Sequence, residues 1–600
     1  FTGMTSLTAG TGGDSFTFGA AGSITTINGN SGADSIDLSA LAVATVNLTA
    51  DSASGFNGTS TVGVTNFTNI DSITAKDPSI LQSSLAGATA WTISGADAGS
   101  LVNSAHTFGF TNFGTLDADN NGDTFTFGAA GSVATINGGT GSDSLNLSAL
   151  AAATVNLTAD SASGFNGTST VGITGTFTNI DSITSAAGGT LQSSLGSATA
   201  WAINGANSGT VTNTAHVLTF GGFSTLDADN HGDTFTFGAA GSVATINGGT
   251  GSDSLNLSAL AAATVNLTAD SASGFNGTST VGITGTFTNI DSITSAAGGT
   301  LQSSLGSATA WAITGASSGT VTNTAHVLTF GGFSTLDADN SGDTFTFGAA
   351  GSVTNINGGT GTDSLNLSAL AVATVNLTAD SASGFNGTSN VGVTNFTNID
   401  SITSAANGTL TSGLAGPTTW TISGSDSGTV LDSGNTLTFT NFGSLTGGAG
   451  NDTFAVVTGG SLTGAVNGSG GVNTLDYSGD TAVITVSVAS GGGTSIAGGF
   501  SNIQNLIGND GVAGNTFTLI GDNTGDAFSI TGGNSGSLSY NSGGSVLTFS
   551  GVGNLTGGTG NDAFTFGAAG ALGGTLDGGA GVDSLDISAL GVGTVNLTAD

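Results

Sequence analysis

The chain has 600 residues, 105 of them glycine, no cysteine, and 38 acidic residues against a single Lys or Arg, for a formal net charge of −37. Without cysteine there is no disulfide, thiolate metal site or thiol nucleophile. A chain with one cation cannot neutralise phosphates, which argues against nucleic acid or an anionic membrane as partner. Every acid is Asp and the lone cation is Lys76, so cations are the expected partners and trypsin-like proteases find almost nothing to cut.

Small residues at this density can mean disorder, but the 33 phenylalanines and many Val, Ile and Leu stand in alternating runs that disordered chains lack. No apolar run reaches the roughly 18 residues of a membrane helix, so no membrane span is expected in this segment. The chain begins at Phe1 without a signal peptide and ends on Thr594 to Asp600, which repeats Thr154 to Asp160. It reads as a piece of something longer.

In chain order, the first glycine-rich turn closes on Asp14, and Asp123, Asp233, Asp343, Asp452 and Asp562 follow at steps of 109 or 110 residues. Trp91, Trp201, Trp311 and Trp420 keep the same step. The copies run about 14–122, 123–232, 233–342, 343–451 and 452–561, with a partial one at 562–600. Segments 116–230 and 226–340 are nearly identical, while the copy at 452–561 diverges most and has no Trp.

Inside one copy, Asp123, Asp143, Asp160 and Asp181 fall 20, 17 and 21 residues apart. Between them lie short alternating strands at Thr124–Phe127, Ser144–Leu147, Thr154–Leu157 and Ile180–Ile183, each with one apolar face. Strands this frequent suit either a solenoid or a row of immunoglobulin-like sandwiches of about 110 residues. The sub-period has no reason to exist in a Greek key, no linker separates the copies, and Pro78 and Pro417 are the only prolines. The expected fold is all-β: one continuous right-handed parallel β-solenoid of roughly 20 residues per coil.

Chemistry concentrates in the turns. Ile136 to Leu147 reads Ile-Asn-Gly-Gly-Thr-Gly-Ser-Asp-Ser-Leu-Asn-Leu, a tight glycine turn that delivers Asp143 to the start of a strand. The phrase returns at Gly29–Asp34, Gly248–Asp253, Gly358–Asp363 and Gly578–Asp583, with Asn473 in place of the aspartate in one copy. A second version runs from Gly447 to Phe454 and from Gly557 to Phe564. Converging carbonyls plus a carboxylate make a calcium ligand set. Stacked carboxylates about 5 Å apart repel by roughly 3 kcal/mol at an effective dielectric near 20, which Ca2+ between turns would relieve. The alternative is that each Asp caps its own turn, a role that Asn473 could share.

These segments resemble the repeats-in-toxin nonapeptide, Gly-Gly-x-Gly-x-Asp-x-apolar-x, whose copies wind a parallel β-roll with calcium in its turns. Phe67-Thr-Asn-Ile-Asp71 and Trp91-Thr-Ile-Ser-Gly95 are similar to phrases of giant secreted bacterial surface proteins with β-strand repeats. The resemblance implies calcium at Asp14, Asp34, Asp123, Asp143, Asp233, Asp253, Asp343, Asp363, Asp452, Asp562 and Asp583.

A further candidate is Asp117-Ala-Asp119-Asn-Asn121-Gly122, repeated from Asp227 through Asp229 and from Asp337 through Asp339. It resembles the first half of an EF-hand loop, but position twelve falls on Gly128 and the chain has no Glu, leaving only a local calcium loop. His106, His216, His231 and His326 are too scattered for zinc, and three share one repeat position. The tryptophans read as core, with sugar stacking as the alternative. Threonine rows such as Thr124 and Thr126 read as solvated sheet, or else as an ice- or polysaccharide-binding plane. Acid pairs recur in every copy without a nearby cation, so no enzyme is expected. The function expected is an extracellular, calcium-stabilised rod in a surface filament, sheath or stalk that self-associates. The alternative is an adhesin segment gripping glycan, a surface or ice.

Overall fold

The computed structural model describes residues 3–104, 106–214, 216–324, 326–510 and 517–591, so the closing Thr594 to Asp600 motif lies outside the described residues. Among the described residues there are only strands, turns and bends, and no helix. The chain forms two compact units, Phe1–Gly299 with His326–Thr329, and Thr300–Ala325 with Phe330–Asp600.

One repeat of the first unit shows the plan. Its strands are β1 Thr124–Phe127, β2 Val133–Asn137, β3 Ser144–Leu147, β4 Thr154–Ser161, β5 Gly164–Ser169, β6 Ile173–Ile180, β7 Ser182–Ser193, β8 Ala200–Gly205, β9 Ser208–Asn213 and β10 His216–Asp227. The strands build two stacks. In the first, β1 pairs with β3, β3 with the front half of β7, and that with the front half of β10, all parallel. The chain then doubles back through antiparallel β9 and β8, and β8 pairs in parallel with Thr234–Phe237 of the next repeat. In the second stack β2 pairs with β6, antiparallel β5 and β4 follow, and the rear halves of β7 and β10 lead to Thr245–Asn247. The second unit repeats the first stack through Thr344–Phe347, Ser364–Asn366, Ser401–Ser412, Asn435–Thr446, Ser427–Asp432 and Thr419–Gly424, and the second through Val353–Asn357, Val393–Ile399, Gly384–Ser389 and Thr374–Ser381.

The sheets are therefore mixed, where an all-parallel winding was expected. Nor is the step uniform. The aspartate before β1 meets its partner 20 residues on, and the one before β3 meets its partner 38 on. The twenty-residue spacing describes one step of the repeat. The longer steps hold the meanders β4–β5–β6 and β8–β9–β10, whose local antiparallel pairing needs only short turns. The expected strand Ile180–Ile183 is broken at Asp181, which turns the corner between β6 and β7.

Alternation supplies the core: Phe125, Leu145, Ile183, Phe220 and Trp201 in the first stack, Ile136, Phe177, Val155 and Leu191 in the second, are all buried. Trp201 stacks on Phe235 of the next repeat at 5.7 Å and 20° and meets Phe220 edge-on at 6.3 Å. Gly167 is required by Phe177, whose ring lies across it; a β-carbon there would sit 2.5 Å from the ring.

Candidate functional site: a column of buried aspartates

At the entries of β8, β1 and β3 in the first stack the chain bends, and the bend leaves a backbone amide without a ladder partner. An aspartate of the adjoining layer accepts it. The Thr89 amide and hydroxyl donate to Asp123 Oδ1, the Asp123 amide to Asp143 Oδ1 at 2.7 Å, and the Asp143 amide to Asp181 Oδ2 at 2.9 Å. Thr89 Oγ1 in turn accepts the Trp91 indole N–H at 2.7 Å, tying the largest core side chain to the column. The same chain runs Asp14–Asp34–Asp71, Asp233–Asp253–Asp291, Asp343–Asp363–Asp400 and Asp526–Asp562–Asp583. In the divergent copy it runs Asp452–Asn473–Gln504.

The second carboxylate oxygens separate these residues into two groups. Asp14, Asp452 and Asp562 accept the amide four residues upstream, from Gly10, Gly448 and Gly558, at 3.0, 2.8 and 2.8 Å. These cap their own turns, as the alternative reading had it. In Asp34, Asp123, Asp143, Asp233, Asp253, Asp343 and Asp363 the Oδ2 atom is buried and has no hydrogen-bond partner. Burial, followed by neighbouring carboxylates, pushes Asp143, Asp253 and Asp363 up to about 7, against the pull of the amide each one accepts. Burial likewise raises Asp123, Asp233 and Asp343, opposed by the threonine hydroxyl and amide.

The EF-hand-like loops are differently built. Asp117 accepts Gln82 Nε2 at 2.8 Å and Asn137 Nδ2 at 2.7 Å, so both of its oxygens serve an amide ladder, repeated at Asp227 and Asp337. Asp119 accepts the Asn121 amide at 2.9 Å and borders an open cavity of about 420 Å³ shared with Ser83, Leu85 and Asn121. Asp229 and Asp339 take the same position, and each also accepts a glycine amide, from Gly196 and Gly306.

Calcium takes six to eight oxygens. Among the described residues no group of three or more Asp or His side chains is placed so that it could hold a metal ion. Around Asp143 the donors are too few: Oδ1 is taken by an amide and Oδ2 sits in a sealed niche. The buried column does not fit the ion, and both carboxylate oxygens of Asp119, Asp229 and Asp339 likewise accept amides or hydroxyls of their own and the adjoining loop.

The three equivalent histidines are partly exposed and pair with aspartates of the β4–β5 hairpin and its copies: His106 with Asp51, His216 with Asp160 and His326 with Asp270, at 2.7, 2.6 and 2.7 Å. The tryptophans are buried, so no indole face is free to stack on a sugar. Sequence reasoning passed over Asn179. It stands at φ 57°, donates its side-chain amide to Asn137 Oδ1 at 2.7 Å, and accepts the Ser161 hydroxyl at 2.7 Å. The recurring Phe-Thr-Asn-Ile-Asp phrase was the available signal, since Asn is the side-chain-bearing residue most at home in the left-handed region.

These features define an all-β repeat protein with units of about 110 residues. Comparison with protein-family models gives no match, and no curated protein matches the chain.

Proposed function

We propose that this segment is mechanical: an extracellular, protease-resistant β-rod whose parallel steps wind right-handed, part of a surface filament, sheath or stalk that self-associates. The observation that carries this reading is that neighbouring repeats share strands. Trp201 pairs with Phe235 in the first unit, and Trp311 with Phe345 and Trp420 with Phe454 in the second, so each copy completes its neighbour's sheet. Such an array gains stiffness by adding copies without redesigning its core. The scarcity of Lys and Arg and the absence of cysteine suit an exposed setting that does not depend on redox state. Calcium enters this reading at the Asp119, Asp229 and Asp339 loops.

Excising residues 124–233 and recording its circular dichroism tests the shared-strand basis, since one copy should fray where longer arrays fold. Electron microscopy of the whole chain should show fibres. Binding of monodisperse repeats to a glycan array would instead favour the adhesin. Among the described residues no helix is long and apolar enough to cross a membrane.

A further inference from the structure

The divergent copy contains a natural control for the buried column. Asn473 stands where Asp34, Asp143, Asp253 and Asp363 stand elsewhere, and its Oδ1 accepts the Asp452 amide at 2.9 Å as Asp143 Oδ1 accepts that of Asp123. Its Nδ2 then donates to two carbonyl oxygens, Gly470 at 2.9 Å and Asn502 at 3.0 Å. Asn502 is the counterpart of Asn179: both precede a core isoleucine and both are left-handed, at φ 53° and 57°.

The niche is the same in each copy. A β-carbon on Gly468 would strike the Asn502 carbonyl and Asn473 Nδ2. One on Gly138 would strike the Asn179 carbonyl and lie 2.8 Å from Asp143 Oδ2. Gly29 relates in this way to Asn69 and Asp34, and Gly248 to Asn289 and Asp253. Asp143 Oδ2 and the Asn179 carbonyl oxygen both lie within 2.8 Å of the point where a Gly138 β-carbon would stand, as Asn473 Nδ2 and the Asn502 carbonyl do around Gly468, and Oδ2 is buried without a partner. An ionised oxygen there would face another acceptor, whereas a protonated one becomes a donor and satisfies both.

We propose that Asp143, Asp253 and Asp363 are carried in the folded protein as neutral carboxylic acids. Each donates its Oδ2 proton to the carbonyl of the left-handed asparagine beside it: Asn179, Asn289 and Asn398. Protons, rather than basic side chains or divalent ions, then quiet the buried part of this polyanion. The charged groups facing Asp143 are Asp123 and Asp181 in the adjoining layers and Asp119 in the loop; for Asp253 they are Asp233, Asp291 and Asp229, and for Asp363 Asp343, Asp400 and Asp339. All are acids, and each favours keeping the proton. The inference stands apart from the mechanical reading and concerns only how the stack is held.

The sign of the pH dependence follows. Asp143, Asp253 and Asp363 hold their protons up to about 7 when folded, against 3.8 for an ordinary Asp. Their stabilisation is complete below the lower value and is lost as pH rises through the higher one. In EDTA, the melting temperature of the full chain should fall between pH 5 and pH 8, and D143N/D253N/D363N should remove most of that fall while keeping the fold. Infrared spectra of the wild-type protein should show a protonated-carboxyl band at pH 6 that disappears at high pH and is reduced in the variant. Absence of that band would overturn the proposal. So would a calcium-induced rise in melting temperature at pH 8 that the Asn variant loses, since those carboxylates would then be ionised ligands. Should the variant not fold, the wild-type infrared band decides alone.

Discussion

The regular repeat at 124–227 and the divergent copy at 452–561 solve one packing problem with different residues. In the regular repeat Thr199 accepts the Trp201 indole and donates to Asp233. In the divergent copy Asp526 and Phe528 replace the pair; Asp526 passes its amide to Asp562 at 2.7 Å, and Phe528 stacks on Phe564 at 4.7 Å and 10°. Removing the indole N–H removes the need for the threonine, so the two positions change together. Tyr477 fills the place of Leu147 and is buried, which its hydroxyl tolerates by donating to the Thr494 carbonyl at 3.0 Å. The second stack changed more, its middle strand shrinking to Gly492–Gly493. What the copies share is a set of satisfied polar atoms around a stacked aromatic, not a fixed sequence.

That comparison can be broken at several points. Trp201→Ala should cost the regular repeat about 3–5 kcal/mol, seen as local loss of amide protection in hydrogen exchange. Thr199→Asp alone should cost about 1–3 kcal/mol by facing Asp233 with a second buried carboxyl. Adding Trp201→Phe should recover part of it, and a double-mutant cycle by denaturant titration reads the coupling. Gly167→Ala should cost about 1–3 kcal/mol because its β-carbon would meet the Asn156 carbonyl oxygen of the paired strand as well as the Phe177 ring. Asn473→Asp should make the divergent copy behave as the regular ones do, its carboxyl neutral at pH 5 and its fold losing a few kcal/mol of stability by pH 8, checked by paired melts. The smallest effect is expected of His106→Asn, within about 0.5 kcal/mol, because Asn435 already fills this place and donates to Asp380 at 2.6 Å.

Much of the site was visible as residues and little of it as geometry. The glycine turns, the aspartate series and the Asn473 exception stand plainly in the sequence, but their meaning depends on which oxygen faces an amide and which a carbonyl. Asp14 and Asp143 look alike as turn aspartates; the Gly10 amide satisfies one, while Gly139 turns its amide to Asn137 and leaves the other without a partner. The hairpin at Gly205-Ala-Asn-Ser208 was readable from its turn residues, Asn207 standing at φ 54°. It was submerged by the longer period.

By itself the sequence determined the all-strand class, the 110-residue unit and the inward face of each strand, because alternation and recurrence are local properties of the chain. Only the tertiary structure decided the order of strands in each stack, with β9 and β5 reversed, and the solvent-free niche beside Asp143. Those depend on where each bend leaves the backbone relative to strands 20 to 38 residues away, which no local pattern encodes.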